Sequence, residues 1–318
     1  MGLFSFGKSK ASVLRKGSKG EAVRNLQSAL NAMGYDAGAA DGIFGKGTES
    51  ALEDWQLDAG LYPDGVFGPV SLGKMSKTYA NHGIVLEKMP EPTKASGEML
   101  SWVSCKTDVW NDKGYATCTL RSDVAEDYKR LTEKLHALGA IMTTAGGRRG
   151  LSGKASPSRS RTSMHYLGRA FDLALPSGMQ NPKKDPYVIV QREDDPRRFV
   201  VWARCESTEV PEKTLMGMRC STRGGKTFLT KVEVTDRFVN FTELAAEHGF
   251  TPIRARRSFL RGGRYTGAEW WHFQWEKGLE KGRTTFGSEL LRVYPEDEAR
   301  KFVYWHVSAP KTFGRGFA

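Results

Sequence analysis

Apolar residues near the start of the chain recur with helical spacing. Val23, Leu26, Leu30 and Met33 fall at i, i+3, i+7 and i+10, which predicts an amphipathic helix closed by Gly34. A second helix is expected with Thr48 as its cap, running through Leu52, Trp55 and Gln56 to Gly60. Asp41-Gly42-Ile43-Phe44-Gly45 returns as Asp64-Gly65-Val66-Phe67-Gly68, and Leu26-Gln27 returns as Trp55-Gln56. The stretch is therefore an internal repeat in which each Asp-Gly turn delivers a buried aromatic side chain.

Further along, the pattern changes. Strands are expected over 100–105 and 115–120, then a helix over 123–138 whose stripe is Val124, Tyr128, Leu131, Leu135 and Leu138, stopped by Gly139. Residues 140–144 read as a strand running into Gly146-Gly147-Arg148-Arg149. Alternation over 169–175 puts Ala170, Asp172 and Ala174 on one face and Phe171, Leu173 and Leu175 on the other. Four short strands, 187–191, 199–205, 214–220 and 227–234, predict a β-rich insertion within 176–240. Asn240 and Glu243 form a capping box for a helix over 241–248, residues 270–275 read as a strand, and a last helix is expected over 295–303.

The proline- and glycine-containing run from Met89 to Gly97 reads as a linker. The expected organisation is a basic arm over 1–12, a small all-α bundle over 13–78, a linker over 79–97 and a larger α+β domain over 98–318. A chain of 318 residues suits two domains, with 39% hydrophobic and 26% charged residues as in ordinary globular proteins. No run approaches 18 apolar residues, so no stable membrane insertion is expected. The start is too short in apolar residues for a secretory signal, which predicts synthesis in the cytoplasm.

The formal net charge of +12 implies attraction to polyanions: nucleic acid, anionic lipid or bacterial envelope polymer. Basic clusters at Arg148-Arg149, 159–161, Arg197-Arg198 and 254–257 accompany no helix-turn-helix, zinc-finger or RNA-recognition pattern, so nucleic acid is not an expected partner. Cys105, Cys118, Cys205 and Cys220 lack Cys-x-x-Cys spacing and are expected as free thiols in a reducing cytoplasm. A two-residue turn at Asn111-Asp112 would set Cys105 opposite Cys118, and a longer one ending on Gly114 would not. His82, His136, His248 and His306 have no partner pattern and are expected to be structural or exposed.

The candidate chemistry lies in Ser163-Met164-His165-Tyr166-Leu167-Gly168-Arg169-Ala170-Phe171-Asp172 and in Glu269-Trp270-Trp271-His272. His165, Asp172 and His272 make three ligands for a hydrolytic zinc ion that keeps its fourth position for water. Glu269 is left over as a general base. Its parity is opposite to that of His272, so a bend is needed at the strand entrance, and Gly267 could permit it. Taken alone, each of these side chains also reads as a surface or hydrogen-bonded core residue.

As a set they match Ser-x-His-x-x-Gly-x-Ala-x-Asp followed by Glu-x-Trp-His, at Ser163, His165, Gly168, Ala170, Asp172, Glu269, Trp271 and His272. The pattern resembles the zinc D-alanyl-D-alanine carboxypeptidase family, which takes in L-alanyl-D-glutamate endopeptidases and the hedgehog-like fold. The resemblance implies a Zn2+ site of His165, Asp172 and His272, with Ser163 and Trp271 supporting the ligands. It also implies an arginine for the oxyanion, matched to Arg148 with Arg149 as rival, in a context that departs from the commoner Ser-Gly-Tyr-Arg. The spacing of Leu14, Gly17, Gly20, Val23, Leu26-Gln27, Gly34-Tyr35 and Asp41-Gly42-x-Phe44-Gly45-x-x-Thr48 is similar to the peptidoglycan-binding domain of wall hydrolases, with Trp55 where Phe is common. Together the two resemble a modular phage endolysin. What this implies is a monomer with peptidoglycan as partner, made in a host cytoplasm and reaching the wall once the membrane is permeabilised. The alternatives are a bacterial D-Ala-D-Ala carboxypeptidase and a non-catalytic wall-binding protein that retains the zinc site.

Overall fold

The computed structural model describes residues 13–301 apart from 60, 62, 69, 76–97, 152–162, 225 and 280–283. The expected arm, the linker, most of the basic segment after Leu151, Gly60, His82 and His306 lie outside the described residues. Two compact units are present, one holding residues 13–75, 279 and 284–301 and the other 98–151 and 163–278. No helix among the described residues is long and apolar enough to cross a membrane.

In the first unit, α1 (Glu21–Ala32), α2 (Lys46–Asp58) and the helical residues 70–75 (α3) enclose a core of Val23, Leu26, Leu30, Leu52, Trp55, Phe44 and Phe67. The repeat seen in the sequence is a repeat of hydrogen bonds. Gln27 donates to Asp41 Oδ1 (3.0 Å), Ile43 O (3.1 Å) and Thr48 Oγ1 (3.1 Å), and accepts from the Gly42 N–H (2.9 Å). Gln56 does the same with Asp64 Oδ1, Val66 O, Ser71 Oγ and the Gly65 N–H. Each glutamine therefore ties a helix to the Asp-Gly turn that follows it. Thr48 is not the cap expected of it: α2 begins two residues earlier, and the buried hydroxyl of Thr48 serves Gln27 instead. Residues 284–301 add α7 (Phe286–Leu290) and α8 (Glu296–Lys301), the first opened by a capping box between Thr285 and Ser288.

The second unit is mixed α/β. Antiparallel β1 (Trp102–Lys106) and β2 (Thr117–Arg121) are joined by a turn with left-handed Asn111 and Asp112, the shorter alternative, and Cys105 pairs with Cys118 in register. Helix α4 (Ser122–Ala137) buries Val124, Tyr128, Leu131 and Leu135. Against it lies a three-stranded antiparallel sheet of order β3-β9-β8, with β3 at Ala170–Asp172, β8 at Phe250–Pro252 and β9 at His272–Trp275. Phe171 pairs with Phe273 and stacks on it at 5.5 Å, and Tyr128 meets Phe171 edge-on at 5.0 Å.

The β-rich insertion is a four-stranded sheet of order β4-β5-β7-β6: Tyr187–Gln191, Phe199–Arg204, Lys226–Asn240 and Glu212–Arg223. It leads into α5 (Phe241–Glu247), whose first turn is capped by Asn240 Oδ1 accepting from the Glu243 N–H. A four-residue helix, α6 (Arg257–Leu260), follows β8. Residues 140–144 form no strand. Thr143 makes a single bridge to Asp108, while its hydroxyl meets that of Ser177 and the Thr144 hydroxyl donates to Asp172 O. These side-chain bonds stand where a strand ladder is expected.

Candidate metal centre

Two short strands in register create the centre. The β3–β9 pairing sets Asp172 directly opposite His272 and Ala170 opposite Gln274, on the face turned away from Phe171 and Phe273. His165 reaches the same point from a 3-10 turn over Met164–Leu167. Ser163 Oγ accepts from the His165 N–H at that turn's start, and left-handed Gly168 ends it. The result is His165 Nε2 at 3.2 Å from Asp172 Oδ2 and 3.2 Å from His272 Nδ1, with His272 Nδ1 at 2.9 Å from Asp172 Oδ1. Ligands about 2.0–2.1 Å from a tetrahedral zinc ion stand roughly 3.3 Å apart, so the spacing of these three suits one ion.

The neighbours settle which ring nitrogens face the centre. His165 Nδ1 contacts the Gly147 carbonyl, which can only accept, so the proton sits on Nδ1 and the Nε2 lone pair points inward. His272 uses Nδ1 inward. Gln274, two residues further along the same face of β9, donates its amide to Glu276 Oε1 at 2.6 Å. Burial opposes the charge on Asp172, but the imidazoles, His165 foremost, hold its carboxyl well below the usual range. Burial also opposes a charged His272, yet Asp172 and then Glu269 raise its pKa above the usual value. The cluster can hold a metal ion.

Glu269 sits three residues before His272 with a left-handed backbone (φ 54°), and its carbonyl accepts the His272 N–H at 3.1 Å. The expected bend is thus made by Glu269 itself, while Gly267 ends a 3-10 turn over Tyr265–Gly267. The strand is accordingly shorter than residues 270–275. Trp271 packs on Tyr265 (5.4 Å) and Trp270 (5.6 Å). Arg148 is an exposed side chain whose guanidinium lies 4.2 Å over the Trp102 ring, and the Arg149 N–H donates to the His165 carbonyl.

Residues 19–75 match the family model described as "Putative peptidoglycan binding domain". Over 169 residues the chain is 28% identical to the zinc D-Ala-D-Ala carboxypeptidase of Streptomyces albus G, covering 52% of this chain and 62% of that protein. It is 39% identical over 82 residues to a spore cortex-lytic enzyme of Bacillus cereus, covering 24% of this chain and 32% of the relative. The crystal structure of the SleB N-terminal domain is 38% identical, with 22% of this chain and 94% of that chain covered and a TM-score of 0.21. The chain spans less than two thirds of the length of these curated relatives. An N-terminal peptidoglycan-binding module thus precedes a zinc-binding, peptidase-like domain.

Three contributors in that domain escape a reading of the sequence. The Gly147 carbonyl fixes the His165 tautomer, and a main-chain acceptor leaves no trace in residue type. Gln274 shares the His272 face of β9, a position legible from alternation but silent as to role. Arg256 donates from Nε to Glu269 Oε1 at 2.7 Å; in the sequence it is one of a run of basic residues over 254–257, which reads as a charged surface.

Proposed function

We propose that the chain is a zinc-dependent peptidase that removes the terminal D-alanine from the stem peptide of peptidoglycan, held on the wall by its N-terminal module. The observation carrying this reading is Asp172 facing His272 in register with His165 Nε2 beside both, and Glu269 three residues before His272, close enough for its charge to act on that ring. The resemblance to the Streptomyces albus G carboxypeptidase, which covers 52% of this chain, favours end-trimming over internal cleavage.

In this reading His165, Asp172 and His272 hold the ion, which when bound supplies Lewis-acid polarisation of the scissile carbonyl and acidifies a water. Glu269 takes the proton from the attacking water and delivers it to the leaving amine. Its low exposure keeps that proton from bulk solvent. Arg148 or Arg149 would offset negative charge on the carbonyl oxygen.

The test is mass spectrometry of muropeptides ending in D-Ala-D-Ala after incubation with the purified chain. The expected outcome is loss of one alanine, abolished by a chelator and restored by zinc. Fragments cut within the stem would instead make the enzyme an endopeptidase, as in an endolysin, and an inert zinc-loaded chain would refute the peptidase reading.

A further inference from the structure

The segment between β8 and β9 carries Glu269, and its fastenings come from the insertion. Ala255 is held by Arg197 of the β4–β5 connection in both directions: the Ala255 N–H donates to Arg197 O (2.7 Å) and Arg197 Nε donates to Ala255 O (2.8 Å). Arg254 pairs with Asp195 of the same connection at 2.9 Å. Further on, Gly262 O accepts from the Thr227 N–H at the start of β7. The Tyr265 hydroxyl lies 3.0 Å from the carbonyls of Leu175 and Gly178 and accepts from Trp270 Nε1. The segment closes on itself where the Arg256 N–H donates to Gly267 O at 2.8 Å.

This closure leaves the Arg256 side chain beside Glu269, with Nε 2.7 Å from Oε1. The Arg256 side chain is 37% exposed and that of Glu269 12%, so the guanidinium reaches the carboxylate from the solvent side. A carboxylate on a left-handed backbone gains a fixed orientation from such a bond, because a guanidinium presents its donors in a rigid plane. The bond from Nε is made to Oε1. We propose that Arg256, held in place by the β-rich insertion, is a positioning residue that orients the Glu269 carboxylate for its work as general base. The proposal rests on the peptidase reading above and assigns the insertion a role in holding that base.

The experiment is a double-mutant cycle on the zinc-loaded full chain with a D-Ala-D-Ala muropeptide. Arg256→Ala is expected to lower kcat by about 10²-fold, the scale of a misplaced catalytic group, with KM, zinc content and Tm unchanged. Arg256→Lys, which keeps the charge without the planar fork, should recover part of the loss. In a Glu269→Gln background, removing Arg256 should cost nothing further. An unchanged kcat in Arg256→Ala and Arg256→Lys, a rise in KM alone, or an equal loss in the Glu269→Gln background would each overturn the proposal. A wild-type chain that releases no alanine would instead refute the underlying peptidase reading.

Discussion

Gly147 shows how much of a candidate metal ligand's behaviour is set by a residue with no side chain. A Cβ placed there would press into the Thr119 carbonyl and lie 2.9 Å from Cys118 Sγ and 3.0 Å from Leu120 Cδ2. The main chain can therefore run tightly against β2, which is what brings its carbonyl to His165 Nδ1. The Gly147→Ala substitution should push this carbonyl outward and release the imidazole from its tautomer. Zinc affinity measured by competition with a chelator is expected to fall about 10- to 100-fold, the usual effect of losing a partner that orients a ligand. Unaltered affinity would mean that Ser163 and Gly168 alone hold the ring.

Strand β9 is an element with two jobs, since Phe273 and Trp275 face the core while His272 and Gln274 face the centre, and Glu276 continues the polar row just beyond the strand. Glu276 is half-buried, and burial pushes its carboxyl up to about 7 against the lowering effects of Gln274, Thr251 and Arg169. The folded protein therefore keeps this proton where the unfolded chain, with a carboxyl near 4.5, has lost it. Stability from this group is complete below 4.5, declines as pH rises to about 7 and is level above. Tm of the wild type should accordingly drop relative to Glu276→Gln across that window, and parallel curves would show that the carboxyl is not perturbed. How legible such elements are depends on their period. Helices α1 and α4 follow from spacing because each buries one continuous face, whereas the strand Tyr187–Gln191 follows from an unbroken apolar run whose residues 187–189 are buried on both faces. The stretch 169–175 yields only three strand residues because Pro176 and the 3-10 turn over Leu175–Ser177 end the pairing. The residues over 253–269 that hold Glu269 obey no period, so Arg256 could not be picked out from its basic neighbours.

Positive charge and a repeated module bear on how the whole chain meets an insoluble polymer. In the proposed reading the net charge of +12 would supply attraction to an anionic wall that salt screens, and the module would supply binding by shape. The two contributions can be separated through Gln27, whose amide joins α1 to the Asp41–Ile43 turn and to Thr48 inside one small core. Gln27→Ala strands several partners at once, Thr48 among them, and should cost the module on the order of 1–3 kcal/mol, enough to loosen a unit of this size. The second unit has its own core around α4 and β9, so turnover of a soluble muropeptide should stay at the wild-type rate. On intact wall the same variant should sediment less with the polymer and release alanine more slowly, because tethering raises the effective substrate concentration only while the module binds. Raising the salt should then remove most of what binding remains in the variant and only part of that in the wild type. Equal sedimentation of the two proteins at high salt would show that charge alone, and not the Gln27 and Gln56 repeat, holds this chain to the wall.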